Sequence, residues 1–346
     1  MMIPLAEAIA TGPFSILVEL VASGVKREAQ LLAIASDLAN VPEVAAGSIA
    51  SYADGKVGQD PIRVGCAVRA RGLQPNIHLT CVNRDRVAMR RTLRDMRALA
   101  LHNVFALTGE RPAGTDANER RIQGDPAHAA SSELDSVQLT ELIAQHRATE
   151  GTPFYISVAV SPFRYTRESC VQQYARLERK VAAGANLAIT KPGWDARKFT
   201  ELKRYVDDRG LRIPLLGNVH VLTRRVAEQM AAADQPGGWI APELLESLRK
   251  ESDAADGGLP ARLERAARTL AVLKGLGYAG AYITGTHAAD QVTHILHRAD
   301  ELKSDWQRCA DDLQFGQPGG FYLDASAAIA PEPRGATPVQ PAPSQS

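Results

Sequence analysis

The sequence predicts a single-domain α/β protein, a (β/α)8 barrel of the TIM type, and three observations carry that expectation. Short apolar runs rich in β-branched residues alternate with longer helical patterns, which argues for a parallel sheet. Eight such runs fall within about 280 residues, the number that closes a barrel, with an open doubly wound sheet as the alternative. Several helical patterns end at glycine just before the next strand, at Gly184, Gly210 and Gly277. Glycine reaches the left-handed conformation that ends a helix without a Cβ clash.

The expected strands are residues 15–20, 47–51, 76–80, 103–107, 154–159, 187–190, 213–216 and 280–284. The first is an apolar run broken only by Glu19, the third carries His78 between Ile77 and Leu79, and the sixth ends in Thr190 and Lys191. Helical patterns cover 84–99, 167–183, 196–208 and 261–275. Two segments break the alternation. Residues 111–135, directly after the fourth strand, are polar and rich in Gly, Pro and Asp, the composition of a functional or mobile loop. Residues 234–258 hold a short helical pattern at 241–250 flanked by glycines. The expected organisation is an N-terminal extension at 1–13, a catalytic barrel at 14–302 and a C-terminal extension at 303–346. Beyond about residue 325 that extension is Pro, Ala and Ser, and is expected to be disordered.

With 45% hydrophobic residues, the 346-residue chain can bury a large core. Its 40 basic and 39 acidic residues nearly cancel, leaving no footprint for nucleic acid or an acidic membrane surface. No apolar run reaches the roughly 18 to 20 residues a bilayer span requires, and residues 1–11 lack the basic start of a signal peptide. The four cysteines are scattered and form no CxxC pair, so a reduced cytoplasmic setting without structural zinc is expected. A homo-oligomer is compatible with all of this, and no metal is expected.

In a barrel, the carboxyl ends of the strands build the active face. Those ends present Glu19, Ser51 with Tyr52, His78 with Thr80, Thr108 to Glu110, Lys191, His220, and Thr284 to His287. Glu19 stands in Ile16-Leu-Val-Glu-Leu-Val21, where desolvation raises a carboxyl pKa into the range of a general acid. A structural carboxylate paired across the barrel mouth fits that sequence equally well. Lys191 has three readings: a Schiff-base lysine, a substrate contact, or one half of a rim salt bridge. His78 and His220 are lone histidines, more often hydrogen-bonded structural groups than catalysts. Gly109 belongs to no dinucleotide or phosphate-loop pattern.

Five segments in register resemble one family. Asn76-Ile-His-Leu-Thr-Cys81 resembles the "HLTC" strand of methylenetetrahydrofolate reductases, and Val104-Phe-Ala-Leu-Thr-Gly-Glu-Arg-Pro112 resembles their "ALRGD" strand and loop. The stretch from Arg179 to Lys191 resembles their "KRKVDAGA…ITQ" segment, with Asp195 matching an acid just after it. Gly238 to Leu245 is similar to their "IP" helix, and Gly280-Ala-Tyr-Ile-Thr-Gly285 falls where their last strand stands. The resemblance covers roughly residues 14 to 302.

What the resemblance implies is a flavoprotein holding FAD on the barrel face, with NAD(P)H and the folate alternating against the flavin. Such an enzyme interconverts 5,10-methylenetetrahydrofolate and 5-methyltetrahydrofolate. It implies catalytic carboxylates at Glu19, the acid that protonates folate N10, and at Glu110. Flavin contacts would fall on Ser51, His78, Thr80, Thr108, Gly109, Glu110, Arg164 and Lys180, and folate contacts on Lys191 and Tyr282. This sequence departs from the pattern in places. The family's arginine and aspartate of "RGD" are Thr108 and Glu110, its histidine after the fifth strand is Arg164, and its pterin-contacting glutamine is Lys191. A lysine only donates where a glutamine both donates and accepts. Within about 4 to 6 Å of Glu19, that cation would lower the carboxyl pKa and favour the oxidative direction. Alternative expectations are an aldolase-like lyase using Lys191, and a folate-binding paralogue that has lost flavin.

Overall fold

The computed structural model describes residues 3–21, 27–50, 59–82, 84–109, 134–232 and 239–323, and the backbone of a two-rung hairpin pairing Tyr52–Ala53 with Lys56–Val57. Eight parallel strands close into a barrel: β1 (Ser15–Val21), β2 (Val44–Ala50), β3 (Pro75–Thr80), β4 (Asn103–Leu107), β5 (Tyr155–Val160), β6 (Leu187–Thr190), β7 (Leu215–His220) and β8 (Gly280–Thr284). Each pairs with its sequence neighbours, and β8 returns to β1 with Leu17 opposite Tyr282.

Among the described residues the helices are α1 (Leu5–Thr11), α2 (Glu28–Leu38), α3 (Pro61–Arg69), α4 (Arg86–Ala98), α5 (Ser136–Glu150), α6 (Arg167–Ala182), α7 (Ala196–Asp208), α8 (Arg224–Ala232), α9 (Pro242–Ser252), α10 (Leu259–Gly275), α11 (Ala289–Glu301) and α12 (Trp306–Asp312). Side-chain caps start several of them: Asp85 bonds the Ala88 amide, Thr166 the Ser169 amide, and Asp135 forms a capping box with Gln138.

Strand alternation sorts the side chains into two cores. On β1, Ile16, Val18 and Leu20 face outward into the large layer between sheet and helices, while Leu17 faces the barrel axis with Ala46, Phe105, Leu187, Ile189, Leu216 and Tyr282. Leu5 and Ile9 of α1 belong to this inner cluster, so the segment expected as an extension plugs the foot of the barrel. At the other end the chain runs on past residue 302 through α12, and Cys309, Leu313 and Tyr322 are buried. The tail expected beyond 325 lies outside the described residues.

Strand bounds match the expectation at β4, β6 and β8 and differ by up to three residues at β1, β2, β3 and β5. The seventh strand requires correction: it runs Leu215–His220, not 213–216. Its inward residues Asn218 and His220 read as loop, yet both find partners inside the barrel, with only the buried Nε2 of His220 left without one among the described residues. Thr284 Oγ1 donates to Asn218 Oδ1 at 2.9 Å, the Asn218 backbone N–H donates to Thr190 Oγ1 at 2.7 Å, and His220 Nδ1 lies 2.8 Å from Thr284 Oγ1.

Candidate active site at the carboxyl-terminal mouth

A cavity of about 410 Å³ opens at the carboxyl ends of β1 to β6. Its wall includes Glu19, His78, Thr80, Thr108, Gly109, Arg164, Lys180 and Lys191, so eight residues singled out in the sequence meet around one space. Tyr282 is not on that wall: its side chain is buried below and reaches Glu19 from beneath. Ser51 and Glu110 lie outside the described residues. His220 sits on the other half of the barrel against Trp194.

Glu19 reaches the mouth because β1 turns Leu17 and Glu19 inward, and it stands beside Ser48 of β2 in register. The Tyr282 hydroxyl donates to Glu19 Oε1 at 3.2 Å and lies 3.4 Å from His78 Nε2, which in turn lies 2.9 Å from Ser48 Oγ. Asn76 Nδ2 donates to the same Ser48 oxygen at 3.2 Å. A connected polar chain therefore runs under the cavity floor from Asn76 to Glu19. Burial raises the Glu19 pKa, and the Tyr282 hydrogen bond opposes it. Burial also pushes His78 down to about 3, so its ring is neutral at physiological pH. The Tyr282 hydroxyl, raised well above its ordinary value by burial and then by the Glu19 charge, remains a donor.

The expectation that Lys191 would hold the Glu19 carboxyl down is not met. Glu19 is raised, and the charge of Lys191 is felt instead at Lys180. Lys180 reaches the cavity from α6 and donates to the Ala159 carbonyl at 2.6 Å. Burial, then Arg176 and Lys191, bring its pKa down to about 7, with Asp135 opposing. Arg164, in the loop after β5, is half-buried, and burial lowers its pKa. Its buried Nε has no partner among the described residues, and neither does the buried Ser161 Oγ nearby in the same loop.

Sequence reasoning missed Ser136, Ser161, Gln173 and Arg176 on the cavity wall. Gln173 and Arg176 were legible in one respect: with Lys180 they recur at helical spacing on one face of α6. Arg176 Nη2 donates to Asp135 Oδ2 at 3.0 Å and lies 3.4 Å from Thr108 Oγ1. It thus brings a guanidinium beside the position where the family's "RGD" arginine is absent.

The structure is thus a closed parallel barrel with a cavity bearing several charged side chains at its carboxyl-terminal mouth, the end where barrel proteins place their functional sites. The family model for methylenetetrahydrofolate reductase matches residues 24–254, more than half of the chain, and the chain belongs to that family. It is 28% identical over 149 residues to 5,10-methylenetetrahydrofolate reductase of Salmonella typhimurium, covering 43% of this chain and 44% of that protein. Against methylenetetrahydrofolate reductase (NADH) 1 of Arabidopsis thaliana it is 27% identical over 153 residues, 41% of this chain and 24% of the relative. The match thus spans less than half the length of these curated relatives. Among solved structures, an uncharacterised Clostridium thermocellum protein described as binding two copies of 5-methyl-5,6,7,8-tetrahydrofolic acid superposes with a TM-score of 0.58 at 11% identity. That superposition covers 87% of this chain and 99% of that one. At such identity the likeness is one of fold.

Proposed function

We propose that this protein is a flavin-dependent oxidoreductase interconverting 5,10-methylenetetrahydrofolate and 5-methyltetrahydrofolate, with NAD(P)H as the reductant. The observation that carries the reading is a carboxyl of raised pKa, Glu19, at the floor of a cavity whose far wall is cationic. Family membership supports it, as does the folate bound by the Clostridium thermocellum protein of like fold.

The residues present fit an FAD. Among the described residues, Arg164 Nε and Ser161 Oγ are buried without acceptors, and Arg176 and Lys180 line the same cavity. That donor set suits a ligand rich in anionic and carbonyl oxygens. Arg164, Arg176 and Lys180, with Thr80 and Thr108, would hold it, and when bound it supplies hydride transfer to and from the folate.

The chain's own groups do the proton work. A protonated Glu19 donates to N10 of methylenetetrahydrofolate, the N10–methylene bond breaks, and the iminium left at N5 is the group that accepts hydride. In reverse, the ionised carboxyl accepts the N10 proton as the bridge closes. Tyr282 orients Oε1 from below, and neutral His78 holds the Tyr282 hydroxyl in place. Lys191 at the rim offers the pterin a donor. The lysine that burial depresses is Lys180, and its Nζ is held by the Ala159 carbonyl, so the aldolase-like reading gains no support at Lys191.

The test is anaerobic spectroscopy of the purified protein. A bound flavin whose absorbance bleaches with NADH or NADPH and recovers with methylenetetrahydrofolate is the expected result. Folate binding by a colourless protein that takes up no FAD would establish the flavin-free paralogue instead.

A further inference from the structure

The C-terminal segment 313–323 grips the two loops that carry Arg164 and Lys191, through hydrogen bonds to buried charged groups as well as apolar contacts. After α12 its backbone bonds the loop following β6: the Ala196 amide donates to the Leu313 carbonyl at 2.7 Å, and the Phe315 amide to the Trp194 carbonyl at 3.2 Å. Six residues later it bonds the loop following β5, where the Phe321 amide donates to the Tyr165 carbonyl at 2.8 Å. The two loops also touch directly, since the ring of Phe163 packs on the bare Cα of Gly193.

Between these anchors lies a buried polar network. Asp195 is fully buried and accepts from the Tyr322 hydroxyl at 2.5 Å, the Tyr165 hydroxyl at 3.3 Å and Arg197 Nε at 2.9 Å. Lys198, also fully buried, bonds both oxygens of Glu201 at 3.0 and 3.1 Å and donates to the Phe321 carbonyl at 2.9 Å. Glu201 accepts from the Leu323 amide at 2.6 Å. The Tyr322 ring lies between two cations, Arg197 at 4.7 Å and Lys198 at 4.5 Å from its centroid. Buried charges are tolerated only when partnered, so losing the segment would leave Asp195, Lys198 and Glu201 each short of a partner. Tyr165 adjoins Arg164, and Asp195 lies four positions beyond Lys191, so the network acts directly on two loops of the cavity wall.

We propose that residues 313–323 form a strap that fixes the loops after β5 and β6, with Tyr322 and Asp195 as the positioning pair that sets Arg164 and Lys191 for ligand binding. Its ligand arm rests on the folate reading above, whereas its loop-ordering arm does not.

The test uses the full chain with Tyr322→Phe, which removes one hydroxyl and keeps the ring between its cations. A second variant, Gly316→Ala, places a Cβ against Asp195 Oδ2, the Tyr322 hydroxyl and Arg197 Nη2 and so displaces the strap should the first change be absorbed. Hydrogen exchange is read over residues 161–166 and 191–196, with α1 at the barrel foot as internal reference, and 5-methyltetrahydrofolate binding is titrated on the folded variants. Faster exchange in both loops alone, with affinity weaker by about tenfold, is the expected result. Unchanged loop exchange in both variants overturns the proposal. Faster exchange with wild-type affinity reduces the strap to a structural contact and overturns the positioning role. A wild-type chain that binds no folate sinks the functional reading, and the exchange data still decide whether the strap orders the loops.

Discussion

Glu19 shows how the pKa of a single side chain is set by its neighbours. In its apolar strand the sequence gives reason to expect a raised pKa, but it is silent on what stands underneath. Among the described residues, the Tyr282 hydroxyl, from β8 more than 260 positions away, gives the one hydrogen bond that stabilises the ionised form against burial. The sign of its removal follows. Tyr282→Phe deletes the opposing contribution, so the Glu19 pKa rises further. On the proposed function, reduction of methylenetetrahydrofolate requires the protonated acid and slows as pH rises through that pKa. The alkaline limb of the folate half-reaction should therefore move to higher pH in Tyr282→Phe, measured as rate against pH in rapid-mixing experiments. A limb that stays put or moves down would mean that Tyr282 does not set the acid. His78 belongs to the same chain of bonds, and its neutral ring adds a hydrogen-bonding group rather than a charge.

At the scale of strands and helices, what could be read was hydrophobic pattern, and what could not was polarity turned inward. Strands β4, β6 and β8 are runs without polar residues on the inner face at their upper ends, or with threonine there, and their bounds coincide with the expected ones. Strand β7 carries Asn218 and His220 toward the axis, a polar alternation with the pattern of a loop, and Thr190 and Thr284 supply their partners inside the barrel. The cavity-facing stripe of α6 is hidden for a related reason: polar residues at helical spacing have the pattern of a solvated face. Close packing at this scale makes a separate prediction. Helix α10 rests on β7 through Gly217, where any Cβ would collide with the buried side chain of Leu273. Gly217→Ala should lower stability by about 1 to 3 kcal/mol, the usual penalty of overpacking, while leaving ligand affinity unchanged. Chemical denaturation checks this, and an unaltered midpoint would show that α10 can shift without loss.

Over the whole molecule, the barrel and its active end were legible because closure by eight β/α units fixes where strand ends must meet. Glu19, His78, Thr80, Thr108 and Lys191 were named from different stretches of chain and surround one cavity. The C-terminal segment was not legible, because its partners Asp195, Lys198 and Glu201 lie more than 100 residues away and no local pattern announces a buried ion pair. Tyr282 shows the complementary limit: resemblance names a residue, but its depth below the cavity emerges only from the register of β8 with β1.

On the proposed function, Glu19 serves as the acid of the folate half-reaction alone. Glu19→Gln keeps the shape and the hydrogen-bond acceptor for Tyr282 but cannot deliver a proton. The two half-reactions of that variant, followed separately by stopped-flow absorbance, test the claim most directly. Flavin content and bleaching by the nicotinamide should match the wild type, while reoxidation by methylenetetrahydrofolate should slow by roughly 10² to 10⁴-fold, the span of general acid catalysis. Equal losses in both halves, or an unimpaired folate step, would make Glu19 a structural carboxylate and contradict the account.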